Sequence, residues 1–229
     1  MAEKTTKLLR IEGYLGRKEA ELIRKISEGA GDNQLVFLDT GAVIDFERYF
    51  ERRRLVEPNY RPRDFYGKFL EAGMKLVVTP GMLGEISRHH EQHSINGRRE
   101  ISGETIGIIF RDMGNLVHIL QHGQHKGKSI DEIEYDVYWA TRLAFQEDYK
   151  KGCKDCISDE DKELLTSALW ATGLEVNGKE VTGVTIISPD SHISRSIYVL
   201  TDQSPDFKEK YEELYGEFKY QNVKVISSR

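Results

Sequence analysis

The sequence is poor in cysteine: its 229 residues include only Cys153 and Cys156. One pair cannot form the disulfide framework of a small secreted protein, and such scarcity is typical of a reducing compartment. The sequence also lacks any apolar run of about 18 residues, and its first residues, MAEKTTKLLR, are polar and charged. We therefore expect neither a membrane span nor a secretory signal, and we predict a cytoplasmic protein.

An excess of positive charge is also absent. Lysine and arginine total 33 against 38 aspartate and glutamate residues, which gives a formal net charge of -5. This balance excludes a surface that is cationic throughout and wrapped by nucleic acid, but it permits a local basic patch. With 38% hydrophobic and 31% charged residues, the chain lies in the range of folded globular domains. Its length allows a core that needs neither metals nor disulfides.

Four short apolar segments predict buried strands. They are LVFL within 34–38, KLVVT at 75–79, VTIIS at 184–188 and VKVI at 223–226. Helical patterns separate them, at 63–72, 82–93, 104–121, 130–150, 159–172 and 206–218. Strands that alternate with helices are typical of a parallel sheet covered on both faces. We therefore predict a three-layer α/β fold with a central, mostly parallel sheet of four to five strands and helices on both faces.

Two segments lie outside this alternation. Residues 1–33 include an amphipathic helix at 16–29 and form an N-terminal helical extension. Residues 34–229 form one domain, which a stretch at about 86–128 interrupts. That stretch is longer than a crossover between strands needs, so we interpret it as a helical insertion. Asn-Gly at 177–178 predicts a tight hairpin before the third strand.

Acidic residues follow the predicted strands at the edge where open parallel sheets bind ligands. They are Asp39, Glu85 and Asp190; Asp161 joins them from the first turn of the helix after Cys156, with Asp159 as a fifth candidate. Two carboxylates 4 Å apart repel by about 4 kcal/mol at an effective dielectric constant of 20, so a converging set requires a cation. Carboxylate oxygens suit Mg²⁺ and Mn²⁺, which activate water and polarise phosphoryl oxygens. The pattern predicts phosphodiester hydrolysis, although acids at helix starts are also favoured by the helix dipole alone.

Four segments resemble the acidic motifs of the PIN-domain ribonucleases: VFLDTGAVIDF, VVTPGMLGEISR, ISDEDKELLTSALWA and TIISPDSHI. The residues that match are Asp39 and Thr40, Glu85, Ser158 and Asp161, and Ser188 and Asp190. The resemblance covers about residues 34–229 apart from the histidine-rich insertion, so this part of the chain is similar to a PIN nuclease domain. In the last motif, proline stands at 189, where family members often have another acid, which leaves a second metal ion undecided.

The resemblance implies a doubly wound sheet and endonucleolytic cleavage of single-stranded RNA that leaves a 5′-phosphate. It implies that Mg²⁺ or Mn²⁺ is held by the catalytic residues Asp39, Glu85, Asp161 and Asp190, with Asp159 as a further ligand. The hydroxyl groups of Thr40, Ser158 and Ser188 would support these ligands through hydrogen bonds. RNA is the implied substrate, an antitoxin or an RNA-processing protein is a candidate partner, and homodimers are common in the family.

Basic and aromatic residues alternate after the first strand. We predict that Arg48, Arg52 and Arg53 contact RNA phosphates, unless they form a solvated helix face. The aromatic residues either stack on unpaired bases or lie in the core; they are Tyr49, Phe50, Tyr60, Phe65 and Tyr66.

Other interpretations stay open. The chain could be a catalytically inactive PIN-like module that binds RNA or a protein. Asp39-Thr40-Gly41 also matches the signature of aspartic proteases, but a single copy in a mostly helical chain argues against that class.

Histidines of the insertion would contact substrate, donate a proton, bind a second metal ion or lie at the surface; they are His89, His90, His93, His118, His122 and His125. Cys153 and Cys156 would be thiols in a linker, a redox pair or half of a mixed zinc site.

Overall fold

A four-stranded parallel sheet lies at the centre of the protein. The computed structural model describes residues 2–28, 33–92, 94–95, 98–113, 129–153, 156–176, 178–201 and 223–228. The strands of the sheet are β1 (Gln34–Leu38), β2 (Met74–Val77), β3 (Gly183–Ile187) and β4 (Val223–Ile226). Their spatial order is β2-β1-β3-β4, and every neighbouring pair is parallel.

Both faces of the sheet are covered. All five residues of β1 and all five of β3 are buried, and consecutive side chains of a strand point to opposite faces. The described helices are α1 (Ala2–Ser27), α2 (Thr40–Arg54), α3 (Pro62–Glu71), α4 (Pro80–Glu91), α5 (Gly103–Ile108), α6 (Ile130–Ala144), α7 (Gln146–Lys150), α8 (Asp159–Ala171) and α9 (Ser191–Leu200). The predicted α/β fold with a central parallel sheet is confirmed, with four strands.

The order of the strands reverses between β1 and β3. From β1 the chain passes through α2 and α3 to β2 on one side, whereas β3 pairs with the other side of β1 and leads to β4. Gln34 pairs with Gly183 and Leu38 with Ile187, so the carboxyl ends of the two central strands are level. Such a switch point is where open α/β sheets bind ligands.

Most predicted element boundaries agree with the structure to within two residues. The helix predicted at 130–150 is divided, because Phe145 (φ -115°, ψ 22°) ends α6 and precedes α7. The N-terminal helix is longer than predicted, since α1 begins at Ala2. The helix predicted at 206–218, and the part of the helix predicted at 104–121 that follows residue 113, lie outside the described residues. No described helix combines the length and apolar character that crossing a membrane requires.

The insertion at about 86–128 is not helical throughout. An antiparallel pair joins Ser94–Ile95 to Arg98–Arg99, and a π-helical turn, Ile109–Met113, follows α5. The hairpin predicted around 177–178 is present, since Glu175–Val176 pairs with Lys179–Glu180. Gly178 has a φ of 74° there, which glycine adopts without strain.

The N-terminal extension is attached to the domain along its last turns. Glu19 of α1 is buried and accepts hydrogen bonds from Tyr49 Oη at 2.5 Å and Lys68 Nζ at 2.5 Å. Lys224 Nζ of β4 donates to three carbonyl oxygens at the end of α1, those of Lys25, Ile26 and Glu28. Carbonyls at a helix end lack partners within the helix, so this lysine satisfies them. The first and last segments of the chain therefore support each other.

Candidate metal centre

Four carboxylates come together at the carboxyl edge of the sheet. Asp39 follows β1, Asp190 follows β3, Glu85 lies on α4, and Asp161 lies in the first turn of α8. The charges of Asp161 and Glu85 act on Asp39, and those of Asp190 and Glu85 act on Asp161. The four acids singled out in the sequence therefore lie within electrostatic range of one another, although no three of them in the described ranges are spaced to hold one ion as they stand; we call them the carboxylate cluster.

Asp39 is the most buried member of the cluster, with 7% of its surface exposed. It caps α2, because its Oδ1 accepts a hydrogen bond from the Gly41 N–H at 3.3 Å. Its Oδ2 accepts a hydrogen bond from Ser188 Oγ at 2.5 Å. Its own N–H donates to the Ile187 carbonyl at 3.1 Å, which extends the pairing of β1 and β3 by one residue.

The environment of Asp39 disfavours its charged form. The pKa of Asp39 is raised from 3.8 to about 6, chiefly by burial, and the negative charges of Asp161 and Glu85 contribute to the rise. The hydrogen bonds from Ser188 and Gly41 oppose this rise. A charged Asp39 is therefore destabilising unless a cation lies beside it.

Asp161 shares this environment. Burial raises its pKa, and the charges of Asp190 and Glu85 add to the rise, whereas hydrogen bonds from Ser158 lower it. Ser158 also caps α8, since its Oγ accepts a hydrogen bond from the Asp161 N–H at 3.0 Å. The capping interaction expected at this position therefore fixes the backbone of Asp161 at the start of its helix.

Ser188 links two members of the cluster. Its hydroxyl donates to Asp39 and accepts from the Asp190 N–H at 2.9 Å. Asp190 in turn caps α9, and its Oδ1 accepts from the His192 N–H at 2.7 Å and lies 3.4 Å from His192 Nδ1. His192 packs edge-on against Phe145 at the rim of the cluster. His192 was not predicted as a site residue, although its position two residues after Asp190 at the start of a helix indicates this contact.

Pro189 packs against the first turn of α2. A Cβ atom on Gly41 would lie 2.7 Å from Pro189 Cγ and 3.1 Å from Pro189 Cδ. Glycine at 41 therefore allows the chain after β3 to approach the chain after β1. Pro189 is thus a packing residue between Asp39 and Asp190 in the chain and the first turn of α2.

Two contacts hold α4 beside α8. Glu163 Oε2 accepts a hydrogen bond from the Gly81 N–H at 2.8 Å, at the positive end of α4. Arg88 pairs with Glu160 at 3.2 Å, and Arg88 lies one turn beyond Glu85. These residues were not identified from the sequence, because contacts between distant positions leave no local motif.

Two predicted site residues have other surroundings. The Asp159 side chain is 94% exposed and pairs with Lys162 at 2.8 Å, and its charge is not coupled to the carboxylate cluster. Thr40 Oγ1 donates to Met82 Sδ at 3.3 Å, so it links α2 to α4 and does not support a carboxylate. The contact predicted for Ser188 is present, whereas those predicted for Thr40 and Asp159 are not.

The three arginines predicted to contact RNA differ in accessibility. Arg52 is exposed. Arg48 is half-exposed and pairs with two carboxylates, at 3.3 and 3.4 Å. Arg53 is 14% exposed, pairs with Glu57 and lies over the ring of Tyr60, so its guanidinium is occupied within the protein.

The aromatic residues next to these arginines belong to the core. Phe50, Tyr60, Phe65 and Tyr66 are each at most 4% exposed and contact one another edge-on or tilted. Tyr49 is held by its hydrogen bond to Glu19. For the four buried rings, the alternative that they stack on unpaired bases is therefore wrong, and Tyr49 is partly buried against them.

Two histidines anchor the insertion to α4. His89 Nδ1 lies 2.8 Å from the Glu100 carboxylate, and His90 Nδ1 lies 2.8 Å from the Ile101 carbonyl. The other histidines of the insertion lie outside the residues whose side chains are described; they are His93, His118, His122 and His125. The positions of His89 and His90 are therefore explained by their contacts with Glu100 and Ile101 of the insertion.

The two cysteines close the loop before α8. Cys153 and Cys156 are joined by a disulfide, with their Cα atoms 5.8 Å apart. Of the three interpretations left open by the sequence, this proximity favours the redox pair.

Comparisons with protein-family models, with curated proteins and with solved structures find no match to this chain. Its function is therefore inferred from the carboxylate cluster and its surroundings.

Asp39→Asn is expected to stabilise the metal-free protein at neutral pH. Because the pKa of Asp39 is raised to about 6, wild-type stability is reduced as the pH rises from about 4 through 6, while the variant does not titrate at this position. The raised pKa corresponds to a loss of at most about 3 kcal/mol in the free energy of unfolding of the wild type at neutral pH. Urea unfolding with a chelator between pH 3.5 and 8 measures the difference.

The free energy of unfolding of Asp39→Asn should exceed that of the wild type by little at pH 3.5. This difference should increase with pH and become constant above about pH 7. Asp159→Asn, at an exposed position, is the control and should show no such trend. Wild-type stability that rises relative to Asp39→Asn through pH 6 would contradict the raised pKa.

Gly41→Ala is expected to destabilise the protein by about 1–3 kcal/mol, because its methyl group would overlap the Pro189 ring. Gly67→Ala on α3 is the matched control, since nothing lies within 4 Å of the added Cβ. Removing a glycine from a helix interior should stabilise by about 0.5–1 kcal/mol. Chemical denaturation measures both variants, and equal effects would show that the Gly41–Pro189 contact is unimportant.

Proposed function

We propose that this chain is a divalent-metal-dependent endonuclease that hydrolyses phosphodiester bonds of single-stranded RNA, in the manner of the PIN-domain ribonucleases. The observation that carries the proposal is the convergence of the carboxylate cluster at the switch point of a parallel sheet. Within the described part of the chain, no lysine or arginine forms an ion pair with any of its four members. Their mutual repulsion is therefore available to bind a cation.

The donor atoms suit Mg²⁺ or Mn²⁺, because all are carboxylate oxygens. As the side chains stand, no three His, Cys, Asp or Glu residues in the described ranges are spaced to hold one ion jointly. Mg²⁺ needs only one or two carboxylates, since waters and substrate phosphates complete its shell. We assign Asp39 as the principal ligand, with Asp161 and Asp190 as the residues that would join it.

The bound ion would supply an activated water and stabilise charge on the transferring phosphoryl group. The protein's own residues position that chemistry. Ser188 fixes Oδ2 of Asp39 by a 2.5 Å hydrogen bond and holds Asp190 through its backbone. Glu85, which acts electrostatically on Asp39 and Asp161 from a separate helix, is assigned to orient the attacking water.

Two exposed arginines are assigned as contacts for the phosphates of RNA. Arg88 is 54% exposed and held by a surface ion pair, which is readily exchanged for a phosphate. Arg52 is exposed at the far end of α2. These two arginines replace Arg53 as the favoured phosphate contacts.

Asp39→Asn and Asp161→Asn are expected to reduce cleavage of a labelled single-stranded RNA by about 100-fold or more, because each removes a charge that the transition state requires. Asp159→Asn should cleave like wild type. Mn²⁺ should raise the melting temperature of the wild type but not that of Asp39→Asn.

Two results would contradict the proposal. One is wild-type cleavage by Asp39→Asn with Mn²⁺ present, and the other is cleavage that persists in a chelator. RNA binding without cleavage in either ion would instead support the alternative of a PIN-like binding module.

A further inference from the structure

A groove of about 530 Å³ lies between α6 and α8. Its apolar lining is formed by Ile130, Val137 and Tyr138 of α6 and by Trp170 of α8. This volume is typical of sites that accommodate a ligand or a few partner side chains. We call it the α6–α8 groove.

The groove continues onto an exposed aromatic surface of α6. Tyr135, Tyr138 and Trp139 are 44–49% exposed, and Trp139 contacts both tyrosines edge-on at 5.6 and 6.1 Å. Tyrosine and tryptophan dominate the binding energy of protein interfaces. Contiguous exposed apolar surface of this kind marks an interaction site.

The rim of the groove is acidic. Glu134, Asp159 and Glu163 line it, and Lys162, which also lines it, is paired with Asp159 at 2.8 Å. Arg142 already lies over the Tyr138 ring, at 5.4 Å, so the attraction for a further cation comes from the carboxylates of Glu134 and Glu163. The groove is therefore complementary to a positively charged occupant.

A buried hydroxyl group in the groove lacks a partner. Thr166 lines the groove and is 6% exposed, and its Oγ1 has no hydrogen-bond partner among the described residues. Burying a polar group without a partner is unfavourable. An occupant with a hydrogen-bonding group would satisfy it.

We infer that the α6–α8 groove is a docking site for a cationic amphipathic segment of another protein. Apolar side chains of that segment pack against Tyr138 and Trp170, and its lysine or arginine side chains pair with Glu134 and Glu163. RNA is disfavoured, because the acidic rim repels phosphates. A second copy docked through the same face is also disfavoured, because a two-fold axis would place two acidic rims against each other.

The α6–α8 groove is spatially separate from the carboxylate cluster. At 100° per residue, the residues of α8 that line the groove, such as Asp159, Glu163 and Trp170, lie about opposite Asp161 on the helix. An occupant can therefore bind without entering the carboxylate cluster.

A synthetic helical peptide of 18 residues, with leucine on one face and lysine and arginine on the other, is the probe. It is titrated into the full chain in a chelator and followed by tryptophan fluorescence and calorimetry. We expect saturable binding that Tyr138→Ala and Glu134→Lys each weaken about 10-fold or more. Tyr198→Ala, at a similarly exposed tyrosine outside the groove, should bind like wild type.

A peptide with glutamate in place of lysine and arginine is the charge control and should not bind. Circular dichroism verifies that each variant is folded. Absence of binding, equal binding of both peptides, or equal affinity of Tyr138→Ala and wild type would overturn the inference. Displacement of the peptide by single-stranded oligouridine would also overturn it and assign the groove to RNA. None of these outcomes depends on cleavage, so failure here is distinct from failure of the nuclease proposal.

Discussion

The burial of a carboxylate where the two central strands end is the constraint on which the site depends. Asp39 is held there by hydrogen bonds from Ser188 and Gly41, and the same serine receives the backbone N–H of Asp190. These bonds position Asp39 accurately but do not offset its burial, because its pKa remains raised to about 6. The protein thus maintains a position that is unfavourable for an isolated negative charge and favourable for one paired with a cation.

The helix α8 connects this site to the rest of the molecule. One side of its first turns carries Asp161 toward the carboxylate cluster, and Glu160 and Glu163 hold α4. The side about opposite Asp161, which includes Glu163, forms the α6–α8 groove. A partner bound in that groove would contact the helix that positions Asp161 and the residue that binds the start of α4. Glu163 lines the groove and also accepts the hydrogen bond from the start of α4, so it contacts both the groove and the helix that carries Glu85.

The sheet and the positions of the acids could be predicted because they depend on local patterns. Short apolar segments between helices indicate parallel strands, and residues such as Asp39 and Asp190 that follow those strands must meet at one edge. The roles of Thr40 and Arg53 could not be predicted, because the contacts of Thr40 with Met82 and of Arg53 with Tyr60 follow from how elements pack. The groove likewise requires two helices that are separate in the sequence.

Anomalous diffraction from crystals equilibrated with Mn²⁺ would show whether a divalent ion binds at the carboxylate cluster. We expect a peak in contact with the Asp39 carboxylate and with at least one of Asp161 and Asp190, and no such peak in Asp39→Asn crystals. Ordered carboxylates with no Mn²⁺ beside Asp39 at saturating concentration would contradict this expectation. So would carboxylates turned to separate faces of the protein.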